Sequence, residues 1–181
     1  MTFSQTLYIS KTLSCTKPAQ RIHMLRKHTN IDSLQALFAD RSPIPETSGN
    51  VHKITTPSEL NTLLSSSKYV VTDFYADWCP PCRTIAPIFS KLADEHASKG
   101  QLAFAKVNVD HVNDVAKQYG ITAMPTFLFF ESGKPTSVAV QKAKIGASSG
   151  GDGQELVERV LGANVVLLRN VVQTLAEMVQ N

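Results

Sequence analysis

The chain has little cysteine, no long apolar run, and no acidic residue before Asp32. Three cysteines in 181 residues are too few for a disulfide-stapled scaffold, so a buried core has to hold the fold, and the count suits a reducing intracellular compartment. No apolar stretch nears the roughly eighteen residues of a membrane-crossing helix. The N-terminus also lacks the continuous apolar segment of a secretory signal. Lysine and arginine total 18 against 15 acids, but residues 1–50 hold six of the bases and three of the acids, leaving twelve of each beyond. A neutral body has no surplus from which to build a nucleic-acid-binding face. The five histidines (His23, His28, His52, His96, His111) show no ligand spacing, and a single cysteine pair makes only half of a zinc site, so no metal is expected. What the chain does hold is 43% apolar residues, enough for one ordinary domain.

Residues 1–31 are rich in Ser and Thr and carry Lys11, Lys17, Arg21, Arg26 and Lys27. This is the composition of an organellar transit peptide, which points to a mitochondrial location. A disordered extension of a cytoplasmic protein, or a misassigned first exon, fits the same residues. Ala19 to His28 has the pattern of a short amphipathic helix, and Ile31 to Phe38 has helical spacing with Asp32 as N-cap. Arg41 to Gly49 is a linker by composition. The domain is expected at 50–162, with 1–49 before it and a helical extension at 163–181.

The chemistry gathers at Trp78-Cys79-Pro80-Pro81-Cys82. The β-branched and aromatic run Tyr69 to Tyr75 reads as a buried strand, and an apolar stripe after Cys79 (Ile85, Ile88, Phe89, Leu92, Ala93) reads as a helix. Two cysteines three apart at a strand-to-helix junction are the form of a dithiol redox site. Cys79, at the helix mouth, is expected to be exposed and to act as nucleophile; Cys82, one turn inside, is expected to resolve the mixed disulfide. The helix N-terminus favours a thiolate. Pro80 precedes a proline, so extended backbone is expected there and the helix should start at Pro81. Asp73 inside an apolar strand is costly if charged and unpaired, so its pKa should rise, fitting it to take the Cys82 proton through water. The plainer reading is a structural pair with Lys106.

Further along, Thr56 and Pro57 start a helix, Pro87 interrupts the active-site helix, and Leu102 to Val109 reads as a strand buried on both faces. Asp110 is a candidate N-cap for a short helix ending at Gly120. Thr126 to Phe130 and Thr136 to Ile145 suggest a hairpin, Ser148 to Gly153 a connector, and Gln154 to Gly162 the last domain helix. Beyond it, Leu161, Val165, Leu168, Val172, Leu175 and Val179 form a heptad stripe. That stripe fits a helix laid back on the domain, or one used for dimerisation or partner docking.

Asp73, Trp78-Cys79-Pro80-Pro81-Cys82, Pro87, Lys106 and Ala123-Met124-Pro125-Thr126, in this order and spacing, resemble the thioredoxin family over roughly Val51 to Gly162. The resemblance implies an α/β fold with a central mixed sheet flanked by helices on both faces, here with an extra C-terminal helix. It also implies a protein-disulfide reductase that acts on disulfide-containing proteins and is recharged by an NADPH-dependent thioredoxin reductase, with no bound cofactor beyond the Cys79–Cys82 disulfide. Asp73 matches the family's proton acceptor and Lys106 its partner. Pro125 matches a cis-proline that leaves the Met124 backbone to pair with substrate, and Trp78 shields the dithiol and offers contact surface. Pro80 stands where typical members carry Gly, and Pro80 and Pro81 are expected to tune the redox balance. A disulfide isomerase would carry His where Pro81 stands, which favours reduction. The alternative from another class is a non-catalytic interaction module that docks a partner through the Pro125 surface and the C-terminal helix.

Overall fold

The computed structural model describes residues 15–16, 41–46, 48–141 and 153–180. In chain order these form β1 (Cys15–Thr16), β2 (Val51–Ile54), α1 (Pro57–Ser66), β3 (Tyr69–Tyr75), α2 (Pro80–His96), β4 (Leu102–Asn108), α3 (Asn113–Gln118), β5 (Ala123–Met124), β6 (Thr126–Glu131), β7 (Lys134–Pro135), β8 (Val138–Gln141), β9 (Gln154–Val157), β10 (Arg159–Leu161) and α4 (Val165–Gln180). The transit-peptide reading, the helices at 19–28 and 31–38, and the tip of the hairpin segment lie outside the described residues.

The main sheet runs β10-β6-β3-β4-β2, with β7 also paired to β6. β3 is central, parallel to β4 and antiparallel to β6, and all seven of its residues are buried. Successive side chains of a strand point to opposite faces, and two cores result. On one face Val70, Phe74 and Phe130 pack with Leu60 and Leu64 of α1 and Val115 and Ala116 of α3. On the other, Val71, Phe104 and Phe129 pack with Ile85 and Phe89 of α2 and Leu168 and Val172 of α4. The expected mixed sheet with helices on both faces is therefore present. Alternation from Val71 and Phe104 puts Asp73 and Lys106 on the α2 face, opposite one another in register.

Local chemistry accounts for most boundaries. Thr56 caps α1 by accepting the Glu59 N–H at 3.2 Å, and Glu59 reaches back to the Thr55 N–H at 2.7 Å. α2 begins at Pro80 rather than Pro81, because Cys79 already takes the extended N-cap backbone. Asp110 does not cap α3, whose N-cap is Val112.

The C-terminal part departs most from expectation. Residues 154–161 form β9 and β10, not a helix, and β10 pairs with β6 with Val160 opposite Phe127. β7 and β10 thus share the edge beside β6, and the chain between them folds out as a β8–β9 hairpin. Val138, Val140 and Val157 of that hairpin are buried. α4 buries Leu168, Val171, Val172, Leu175 and Ala176, an i, i+3, i+4, i+7, i+8 face rather than a heptad seam. It covers the sheet, with Leu168, Val172 and Leu175 of the stripe packed in the core and Leu161 left exposed. Arg41 to Gly49, a linker by composition, is tied to the domain by hydrogen bonds from Ile44 to Asp77 and from Ser48 to Asp94.

Candidate functional site

β3 delivers the chain to the dithiol. Its last turn closes when the Cys79 N–H donates to the Ala76 carbonyl at 3.1 Å, and the Cys79 carbonyl then accepts from the Arg83 N–H at 3.2 Å. Cys79 is the N-cap of α2, with φ −93° and ψ 108°. Pro80 and Pro81 carry no N–H, so Cys82 is the first helical residue with a donor to offer a thiolate at the helix mouth.

Both cysteines are free thiols. Against the expectation of an exposed nucleophile, Cys79 is 0% exposed and Cys82 1%. The Cys79 thiol donates to the Met124 carbonyl at 3.5 Å, and Met124 is itself fully buried. The Met124–Pro125 bond is cis, as the resemblance implied. The backbone of β5 here is paired antiparallel with the chain's own β1, Cys15 opposite Met124 and Thr16 opposite Ala123. Burial pushes the Cys82 thiol far up, aided by a hydrogen bond to Cys79 and by the charges of Asp73 and Cys79.

Asp73 is 4% exposed, and its Oδ1 has no hydrogen-bond partner. Burial, then the charge of Cys79, raises its pKa to about 8, while Lys106 pulls the other way. Lys106 lines the same cavity but forms no ion pair with Asp73, contrary to the expected pairing. Its ammonium sits 3.3 Å from Glu46 Oε1, which also holds Lys53 at 3.4 Å. The cavity, lined by Asp73, Lys106, Tyr75, Ile44 and Pro45, has about 20 Å³ of free volume, room for a single water.

Trp78 is half-buried against the core, and its indole N–H donates to Asp110 Oδ2 at 2.7 Å. Asp77 next to it accepts from the Ile44 N–H at 3.0 Å and from Asn108 Nδ2 at 2.9 Å. Sequence reasoning missed Glu46, Asp77 and Asp110. Only Asp110 gave a signal, and its short side chain before a helix was read as a cap. No cluster of three metal-ligating side chains occurs among the described residues, and no helix among them is long and apolar enough to cross a membrane.

The family model for thioredoxin matches residues 51–149. The chain belongs to the thioredoxin family. A thioredoxin-like protein of Fusarium culmorum is 60% identical over 97 residues, 54% of this chain and 80% of that protein. A Neurospora crassa thioredoxin is 50% identical over 91 residues, 50% of this chain and 72% of its own length. Among solved structures, mitochondrial thioredoxin 3 of Saccharomyces cerevisiae superposes with TM-score 0.51 at 28% identity, over 68% of this chain and 93% of that one. A poplar thioredoxin h mutant gives TM-score 0.56 at 30% identity, over 75% of this chain and 90% of the other. Membership implies thiol–disulfide oxidoreduction as the general chemistry, and Cys79 and Cys82 have the spacing of a CXXC motif.

Proposed function

We propose that this thioredoxin is a protein-disulfide reductase in which Cys79 attacks, Cys82 resolves and Asp73 takes the proton. The Cys79 thiolate attacks one sulfur of a substrate disulfide; that bond breaks, the other substrate sulfur leaves as a thiolate, and a Cys79–substrate disulfide forms. Asp73, as carboxylate, removes the Cys82 proton through a water. The Cys82 thiolate attacks Cys79 Sγ, the mixed disulfide breaks, and the second substrate sulfur leaves. The substrate has gained two electrons and the enzyme holds a Cys79–Cys82 disulfide. An NADPH-dependent thioredoxin reductase returns it to the dithiol, and no bound cofactor is called for.

The observation that carries this reading is the unpaired carboxyl of Asp73, buried within electrostatic reach of a buried thiol. A docking module gains nothing from it. Reduction of insulin disulfides by the full chain, with NADPH and thioredoxin reductase, tests the proposal. Turnover should vanish in Cys79→Ser and fall in Asp73→Asn; a folded, reduced chain with no turnover refutes it. We further place the protein in the mitochondrion, on the acid-free, basic, hydroxyl-rich composition of residues 1–31. An intact N-terminus on protein recovered from the cytosol contradicts that placement.

A further inference from the structure

Glu46 lies before the stretch that the family model matches, residues 51–149, yet it enters the site. Described residues on both sides of it are anchored to the domain. The Ser42 carbonyl accepts from the Arg83 guanidinium, and the Ile44 N–H donates to Asp77 at 3.0 Å. Ser48 Oγ and Asn50 Nδ2 both donate to Asp94 Oδ1, at 2.5 and 2.8 Å. Between these anchors Ile44 and Pro45 wall the cavity that Asp73 lines. Glu46 meanwhile holds Lys106 and Lys53 at 3.3 and 3.4 Å.

The Asp73 carboxyl and the Lys106 ammonium are adjacent in register and on one cavity, yet unpaired. The Lys106 ammonium turns instead to Glu46. We propose that residues 41–46 and 48–50 act as a strap belonging to the catalytic site, with Glu46 a positioning residue that holds Lys106 away from the Asp73 carboxyl. This rests on the reading of Asp73 as proton acceptor. Other groups that bear on Asp73 are few. Cys79 bears on it from the N-cap of α2, Cys82 from α2 itself, Lys106 from β4 and Tyr75 from its own strand, whereas β6 sets Phe127 opposite it. Lys53 of β2 reaches Glu46.

The Glu46 carboxyl is held below its ordinary pKa, chiefly by the charge of Lys106. Its side chain is 54% exposed, so solvent screens the pair and its contribution to stability is small. What Glu46 controls is where the ammonium stands. Released, Lys106 has Asp73 as its nearest buried carboxyl, and a cation brought there favours the carboxylate. Asp73 then ionises at lower pH and becomes a weaker base toward Cys82. By walling the cavity, the strap also narrows the route by which Asp73 exchanges its proton with bulk water.

The test uses the full chain and a preformed Cys79–substrate mixed disulfide, following release of substrate thiol against pH. In Glu46→Gln the midpoint of the resolving step should move down by roughly one pH unit. Lys106→Gln should move it up, and Glu46→Gln/Lys106→Gln should match Lys106→Gln alone. Glu95→Gln, which removes an exposed carboxylate paired with Lys91, should leave it unmoved. A Glu46→Gln midpoint equal to wild type, with the limb absent in Asp73→Asn, overturns the strap's role alone. A Glu46→Gln shift that persists without Lys106 overturns it too, because Glu46 would not act through the lysine. A limb that survives Asp73→Asn overturns the proton-acceptor reading and this inference with it.

Discussion

Replacing Asp73 by asparagine should make this thioredoxin more stable at neutral pH while slowing it. Folding raises the Asp73 pKa from 3.8 to about 8. The native state therefore keeps a proton that the unfolded chain releases once pH passes about 4. Between pH 4 and 8 the native state binds more protons than the unfolded one, so stability falls as pH rises. A tenfold change in proton affinity is worth about 1.4 kcal/mol. A carboxyl raised this far thus costs the native state roughly 3–5 kcal/mol by pH 7.5 and nothing below pH 4. Asparagine removes that dependence. Its amide brings its own desolvation cost of about 1–3 kcal/mol, but that offset does not change with pH. Urea unfolding of the two reduced proteins from pH 4 to 8.5 isolates the effect. The stability difference, Asp73→Asn minus wild type, should grow in favour of the variant by about 3–5 kcal/mol across the range. A difference that stays flat with pH would show that Asp73 is not held protonated by burial, and the case for it as proton acceptor would collapse.

Three further outcomes follow from the geometry. Pro80→Gly supplies an N–H at the first position of α2, which favours a thiolate there, so Cys79 should be alkylated faster at pH 6.5; slower alkylation would contradict this. Trp78 is the single tryptophan, and Asp110→Ala removes the acceptor of its indole N–H, so intrinsic fluorescence should become more accessible to acrylamide. Unchanged quenching would mean that packing alone holds the ring. The two-residue ladder of β1 lies along Met124, where a substrate backbone would pair. Cys15→Pro/Thr16→Pro abolishes its N–H groups and should lower KM for a protein disulfide with kcat unchanged; an unchanged KM means that β1 does not compete.

Where one physical signal dominated, the sequence was legible. The apolar run of β3, the i, i+3, i+4 stripe of α2 and the Thr56-Pro57 start of α1 each pointed to a single structure, and the cysteines fell at their junction. Residues 154–161 did not. Gln154-Glu-Leu-Val-Glu158 and its neighbours suit a helix by propensity, but the edge of β6 carries backbone groups that need partners. β10 supplies them and buries Val160, while Leu156 is left 71% exposed. Tertiary pairing outweighed local preference there. Shifting the last helix to 165–180 also turned an apparent heptad into an ordinary core-facing stripe. At the site, Asp73 and Lys106 could be named, but not their separation. The reason lies at Glu46, in a stretch whose prolines and serines mark a loop and give no hint of what it touches.

The most direct test of the central claim is to trap the covalent intermediate. Full-length Cys82→Ser, mixed with oxidised insulin, should accumulate a species joined through Cys79 by a bond that dithiothreitol cleaves, as read by peptide mass spectrometry. Cys79→Ser should accumulate none. An adduct carried by Cys82 or Cys15 instead, or none from a folded and reduced Cys82→Ser chain, would contradict the assignment of Cys79 as the attacking thiol.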